Sequence, residues 1–227
     1  MCFSATASFV AGGILCVVGG YTLTKTENSD QKVFAAIPLL FGLQQLAEGA
    51  VWLSLRHERF SFITQFATNA YLFFAQTLWP FWVPLAMLLM VQKHDRRLYH
   101  RLFFVSGLIA SIYLSYYLIN YKSIASIIGM HINYTQHYPL EAKAIISVLY
   151  AFATIGATFF TKVKHMRLLG ITIALSYLLT TLLYDYFVLS VWCFFASIIS
   201  VSVYAILVKH IALANKRGSD QVPLPYL

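Results

Sequence analysis

Apolar runs of about 20 residues recur along the chain, separated by short polar breaks. That length of helix crosses roughly 30 Å of hydrocarbon. The pattern predicts spans at Ser4–Thr24, Val33–Leu55, Asn69–Val91, Leu102–Tyr121, Ala144–Thr161, Met166–Tyr184 and Phe187–Lys209. No long stretch alternates with period two, which argues against a membrane barrel. Helices satisfy their own backbone groups, as lipid demands. Left unbroken, Met166–Lys209 would form one helix of about 66 Å at 1.5 Å per residue, so a tight reversal is expected at Tyr184-Asp185-Tyr186. The expected fold is all-α: a polytopic seven-transmembrane-helix bundle over residues 1–211, followed by a short tail over 212–227. Pro80 and Pro84 should kink the third span and free carbonyls one turn earlier. Ser8, Gly12, Cys16 and Gly20 recur at every fourth position or thereabouts, a small-residue stripe that lets helices approach closely.

Composition narrows the class further. Hydrophobic residues make up 59% of the chain and charged ones 11%, against roughly a quarter charged in soluble domains. A soluble monomer, a disordered chain and a disulfide-rich secreted module are all excluded. The bilayer is the expected partner. The net charge of +8 comes from 16 Lys and Arg, and these segregate. Twelve fall on one side of the seven-span arrangement. The other side holds only Arg56, Arg59, Lys122 and Lys143. The positive-inside rule then places the C-terminus in the cytoplasm and the N-terminus outside, in a cytoplasmic (inner) membrane. Nucleic-acid binding is not the reading, because the basic residues sit in short loops beside helix ends. Lys25 follows the first span and no basic residue precedes it, the pattern of an anchor rather than a cleaved leader. The longest loop, Lys122–Lys143, is semi-apolar. It is expected either to lie along the interface or to cap the bundle.

Glu48 is the sharpest candidate for chemistry. A charge inside a span costs on the order of 2.5–3.5 kcal/mol on the insertion scale, so an intramembrane acid implies a role facing the bundle. Gln44, Glu48 and Trp52 form one helical stripe, flanked by Gln45. The same pattern suits an uncharged Glu serving as hydrogen-bonded glue between helices. At a similar depth lie Cys2, Ser4, Asn69, Tyr71, Gln76, Asp185, Ser190, Trp192 and Cys193. Together they suggest an outer-half pocket for a small polar molecule, a lipid headgroup or a metal. In an enzyme, Glu48 would be the general acid/base and Cys2 or Ser190 the nucleophile. The alternatives are a proton-coupled small-molecule transporter and a scaffold subunit of a membrane complex. Weak metal-ligand candidates are Cys2, Cys193, His131 and His137. The two cysteines equally suit a disulfide or ordinary burial. No span holds a pair of His, which argues against a bis-His haem or a His-ligated intramembrane zinc. A retinal pigment needs a lysine midway along the last helix, and Lys209 is at its end. His94, His100 and His165 are expected among basic residues near lipid phosphate. The pattern does not set the oligomeric state.

Three segments carry a resemblance: the opening Met1-Cys2-Phe3-Ser4-Ala5-Thr6-Ala7-Ser8-Phe9, the stretch Pro38–Trp52, and Val191-Trp192-Cys193-Phe194-Phe195-Ala196. The chain resembles an uncharacterised, mainly bacterial family of small multi-pass membrane proteins. The resemblance implies a bacterial membrane protein and carries no catalytic role with it.

Overall fold

A computed structural model describes residues 4–26, 28–91, 98–136, 139–160, 165–183 and 188–219. Its elements in chain order are α1 (Ala5–Thr24), α2 (Ser29–Ala35), α3 (Ile37–Arg56), a 3-10 turn (Glu58–Ile63), α4 (Thr64–Leu72), a π-helical segment (Phe73–Leu78) and α5 (Trp79–Met90). Then come α6 (Leu98–Asn120), β1 (Ile124–Ile128), β2 (His131–Thr135), α7 (Leu140–Ala151), a second π-helical segment (Phe152–Gly156), α8 (Ala157–Phe159), α9 (Met166–Leu183), α10 (Val188–Ser200) and α11 (Ser202–Ser219). Five helical stretches are long and apolar enough to cross a membrane: Ala5–Thr24, Ser29–Arg56, Glu58–Met90, Leu98–Asn120 and Ser190–Lys209. Ala144–Phe159 and Met166–Leu182 are shorter apolar helices. The exposed surface of α6 and α9 is studded with Leu, Ile and Val, which suits a lipid environment. The last helix continues to Ser219, past the expected boundary at 211.

Close packing of α1 on α3 builds one wall. A methyl at Gly12 would meet the Leu46 side chain at 2.8 Å, and one at Gly42 would meet Cys16 Sγ at 2.7 Å. At Gly19 a methyl would strike the Leu39 backbone, whereas at Gly20 it meets nothing within 4 Å. The small-residue seam therefore runs through Gly19, and the expectation of Gly20 is corrected. Helix pitch explains the change: 3.6 residues per turn moves a strict every-fourth-residue stripe off the seam.

The third span carries its irregularity as a π-helical segment just before Trp79-Pro80. Such a bulge accommodates a residue that cannot donate to the helix ladder. Its loosened carbonyls are taken up by neighbouring helices: Tyr150 Oη donates to the Ala75 oxygen at 2.7 Å and Ser111 Oγ to the Thr77 oxygen at 2.7 Å. Pro84 has no N–H to offer Pro80, and the Pro80 oxygen instead lies against Gly107 of α6. Helices α9 and α10 pack on each other, so the chain reverses between them; Tyr184, Asp185 and Tyr186 lie outside the described residues. The expected hydroxyl stripe of α9 bonds to its own helix, with Thr172, Ser176 and Thr180 donating to carbonyls three or four residues back.

The long loop contains the one departure from helix among the described residues. β1 and β2 form an antiparallel hairpin with Ile128 paired to His131, closed by Gly129 at φ +61°. A positive φ at the first turn position only is the type II′ pattern, which glycine accommodates. Ile132 is buried and the strands pack on α3, α4 and α10. The hairpin therefore caps one end of the bundle, the second of the two expected placements. At the opposite end His100 is buried, and its Nε2 donates to the Phe160 carbonyl at 2.9 Å. That corrects its expected place among lipid phosphates. His165 is exposed there, in the left-handed region.

Candidate functional site: a buried polar cluster under the hairpin

Helix α3 supplies the floor of the cluster. Gln44, Gln45, Glu48 and Trp52 fall within one arc of about 100° at 3.6 residues per turn, and each is 0% exposed. Opposite, Ser190 is 0% exposed and its Oγ donates to Glu48 Oε1 at 2.5 Å, joining α10 to α3. Tyr71, also 0% exposed, comes from α4 and stacks on Tyr134 of β2 at 4.7 Å between ring centroids. Cys193 is a buried free thiol. It lies beside Gln44 and Tyr71, within electrostatic reach of Glu48. Trp79 Nε1 donates to Gln44 Oε1 at 2.6 Å while its ring stacks on Phe41 at 3.8 Å.

The expected residues thus divide. Gln44, Gln45, Glu48, Trp52, Tyr71, Ser190 and Cys193 come together. Gln76 sits at the margin, where its Nε2 donates to Gln136 Oε1 at 2.6 Å, and Gln136 donates in turn to Ser123 Oγ at 2.7 Å. Asn69 accepts from Gln65 at 2.9 Å near the surface, and Ser4 caps α1 by accepting from the Ala7 N–H at 3.2 Å. Cys2, His137 and Asp185 lie outside the described residues. His131 is in the hairpin and Cys193 in the bundle. No group of three His, Cys, Asp or Glu capable of holding a metal occurs among the described residues. Trp79, Thr68, Ser8 and the hairpin's Tyr134 were not among the expected set. Indole and hydroxyl side chains are common in membrane helices, so only tertiary packing marks them out.

Partners are unevenly supplied. Both polar atoms of the Gln45 amide, Trp52 Nε1, Thr68 Oγ1 and Ser8 Oγ are buried with no hydrogen-bond partner among the described residues. Gln44 Nε2 finds no nitrogen or oxygen acceptor and faces the Cys193 sulfur, a weak one. The register of α1 on α3, with Phe9 against Gly49 and Gly12 against Leu46, sets Ser8 at the depth of Gln45 and Glu48. The unused hydrogen-bonding capacity is thus concentrated at one level, shared by α1, α3 and α4. Each such buried group costs about 1–3 kcal/mol when left unmet, and native interiors hold few of them.

Away from the hairpin the cluster gives onto a cavity of about 60 Å³. Its walls include Phe41, Trp79, Met87, Tyr150, Trp192, Cys193 and Val203. Trp192 stands edge-on to Tyr177 at 5.1 Å and to Tyr150 at 5.9 Å.

A helical membrane bundle with a sealed polar cluster is the class that fold and site define. The chain belongs to a family of unknown function, DUF6629, whose match covers residues 1–218. No curated protein matches the chain. No solved structure matches it.

Proposed function

We propose that this protein binds a small hydrogen-bonding molecule in the cluster around Glu48. On this reading the bundle has seven spans, with the hairpin and N-terminus on the outer face of a cytoplasmic membrane. The segregation of Lys and Arg supports that orientation. The observation that carries the binding reading is Gln45. It is fully buried, and neither its donor nor its acceptor is met among the described residues. A side chain of that size and cost is replaced without difficulty by Leu or Met if packing is its only duty. Thermal melting of the protein in lipid nanodiscs, screened against small amides, acids and alcohols, tests the reading. A compound that stabilises the wild type and leaves Gln45→Met unmoved supports it. Equal responses of the two proteins to every compound contradict it.

Catalysis is a second reading, favoured by the Ser190–Glu48 contact of 2.5 Å. A hydroxyl donating to a carboxylate is the arrangement of a nucleophile and its base. A fluorophosphonate probe should then label Ser190 in the wild type and not in Glu48→Gln. Absence of labelling in the wild type contradicts this reading.

A further inference from the structure

We infer that the ligand is a neutral amphiphile, with a head that both donates and accepts hydrogen bonds and one narrow apolar chain. The inference rests on the binding reading above and narrows it. Two separate features lead to it. The head is defined by what the cluster leaves unmet: the Gln45 amide on both sides, the Trp52 indole N–H and the Thr68 hydroxyl. Charge restricts it further. No Lys or Arg is buried among the described residues, while Glu48 is. A phosphate or carboxylate head would meet a carboxyl group and no base, at the desolvation penalty of a buried ion. An amide, an alcohol or a protonated acid meets neither obstacle.

The chain is defined by the cavity. Trp79, Val83 and Met87 line it at every fourth position of α5. It therefore extends along the helix for about 12 Å, at 1.5 Å per residue. Apolar cavities stay dry and accept apolar guests. The two features join through Gln44. Its Oε1 is held by Trp79 and its Nε2 faces Cys193, and both of those residues line the cavity. A molecule with its head at Gln44 and Gln45 has only one apolar space to enter, and that space is a slot rather than a bowl.

Primary n-alkyl amides from acetamide to decanamide, with decyl phosphate as the charged comparison, test this on the full chain in nanodiscs. Affinities are read from melting shifts, with free concentrations corrected for partition into the bilayer. The wild type should bind about fourfold more tightly per added methylene, with the gain levelling off once the chain exceeds the slot. Ala196, on the wall of the slot, is the control position. Ala196→Phe should flatten the series while acetamide binding persists; Ala196→Leu, the gentler change, should bring the plateau to a shorter chain. Acetamide binding with no chain-length dependence in the wild type overturns the amphiphile and leaves the polar site standing. An unchanged slope in both Ala196 variants overturns it equally, as does tighter binding of decyl phosphate than of decanamide. If no amide of any length binds, the reading of the polar site falls too.

Discussion

Gln45 and Glu48 stand four to five turns into a helix that lipid would otherwise accept as ordinary, and they behave differently under substitution. Glu48 has Ser190 as a donor, and a glutamine oxygen accepts that bond equally well. Glu48→Gln should therefore preserve the fold within about 1 kcal/mol, the worth of a typical hydrogen bond. Glu48→Leu strands the buried Ser190 hydroxyl and should cost about 1–3 kcal/mol. Gln45→Met removes two unmet groups and should stabilise the ligand-free protein by a similar amount. Reversible unfolding in mild detergent reads all three; a destabilised Gln45→Met would mean that its amide is satisfied within the bundle. A polar residue inside an apolar run is visible without coordinates, so Gln44, Gln45, Glu48 and Trp52 could be found from their spacing. Which residue of another helix meets them is not visible in the same way. Depth placed Asn69 and Ser190 together, yet only Ser190 reaches Glu48, because the azimuth of each helix is set by tertiary packing.

The elements around the cluster depend on a few backbone features. At Gly19 any side chain meets the Leu39 backbone, while Gly20 opens onto free space. Gly19→Leu should destabilise the protein by at least the ~1–3 kcal/mol typical of overpacking, and Gly20→Leu should be tolerated; thermal melting of the pair distinguishes the seam from its neighbour. The hairpin escaped recognition because its residues are semi-apolar and its strands are only five residues each. Its signal was present in Gly129-Met130, a two-residue loop opening on glycine between β-branched flanks. Its stability carries a pH dependence. Burial holds the His131 imidazole below its usual pKa of 6.5, so the folded hairpin prefers the neutral ring and the unfolded chain binds the proton more readily. Stability is full above about pH 6.5 and falls as the pH drops toward the lowered folded value. Amide protection across Ile124–Thr135 should decrease over that interval in the wild type and change less in His131→Gln. A wild-type profile flat with pH would contradict the burial of the ring.

Taken whole, the molecule is a set of lipid-facing helices closed around polar groups that they do not fully satisfy. The membrane class and most helix positions were legible, because about 20 apolar residues in a row admit few other structures. The closed state of the cluster was not, because closure depends on the hairpin and on rings such as Tyr134 stacking across from Tyr71. Topology follows the same logic. Single cysteines at Arg59 and at Lys209, in a background lacking Cys2, Cys16 and Cys193, should react with an impermeant maleimide from opposite faces of the membrane. Labelling of both from one face would refute an odd number of spans between them. The central claim is that a neutral amphiphile occupies the Glu48 cluster and its slot. Native mass spectrometry of the protein, released from nanodiscs made with cellular lipid, tests it most directly. The account predicts a bound neutral mass on the wild type that is lost from both Gln45→Met and Ala196→Phe. Bare wild-type protein, or an adduct retained equally by both variants, would contradict it.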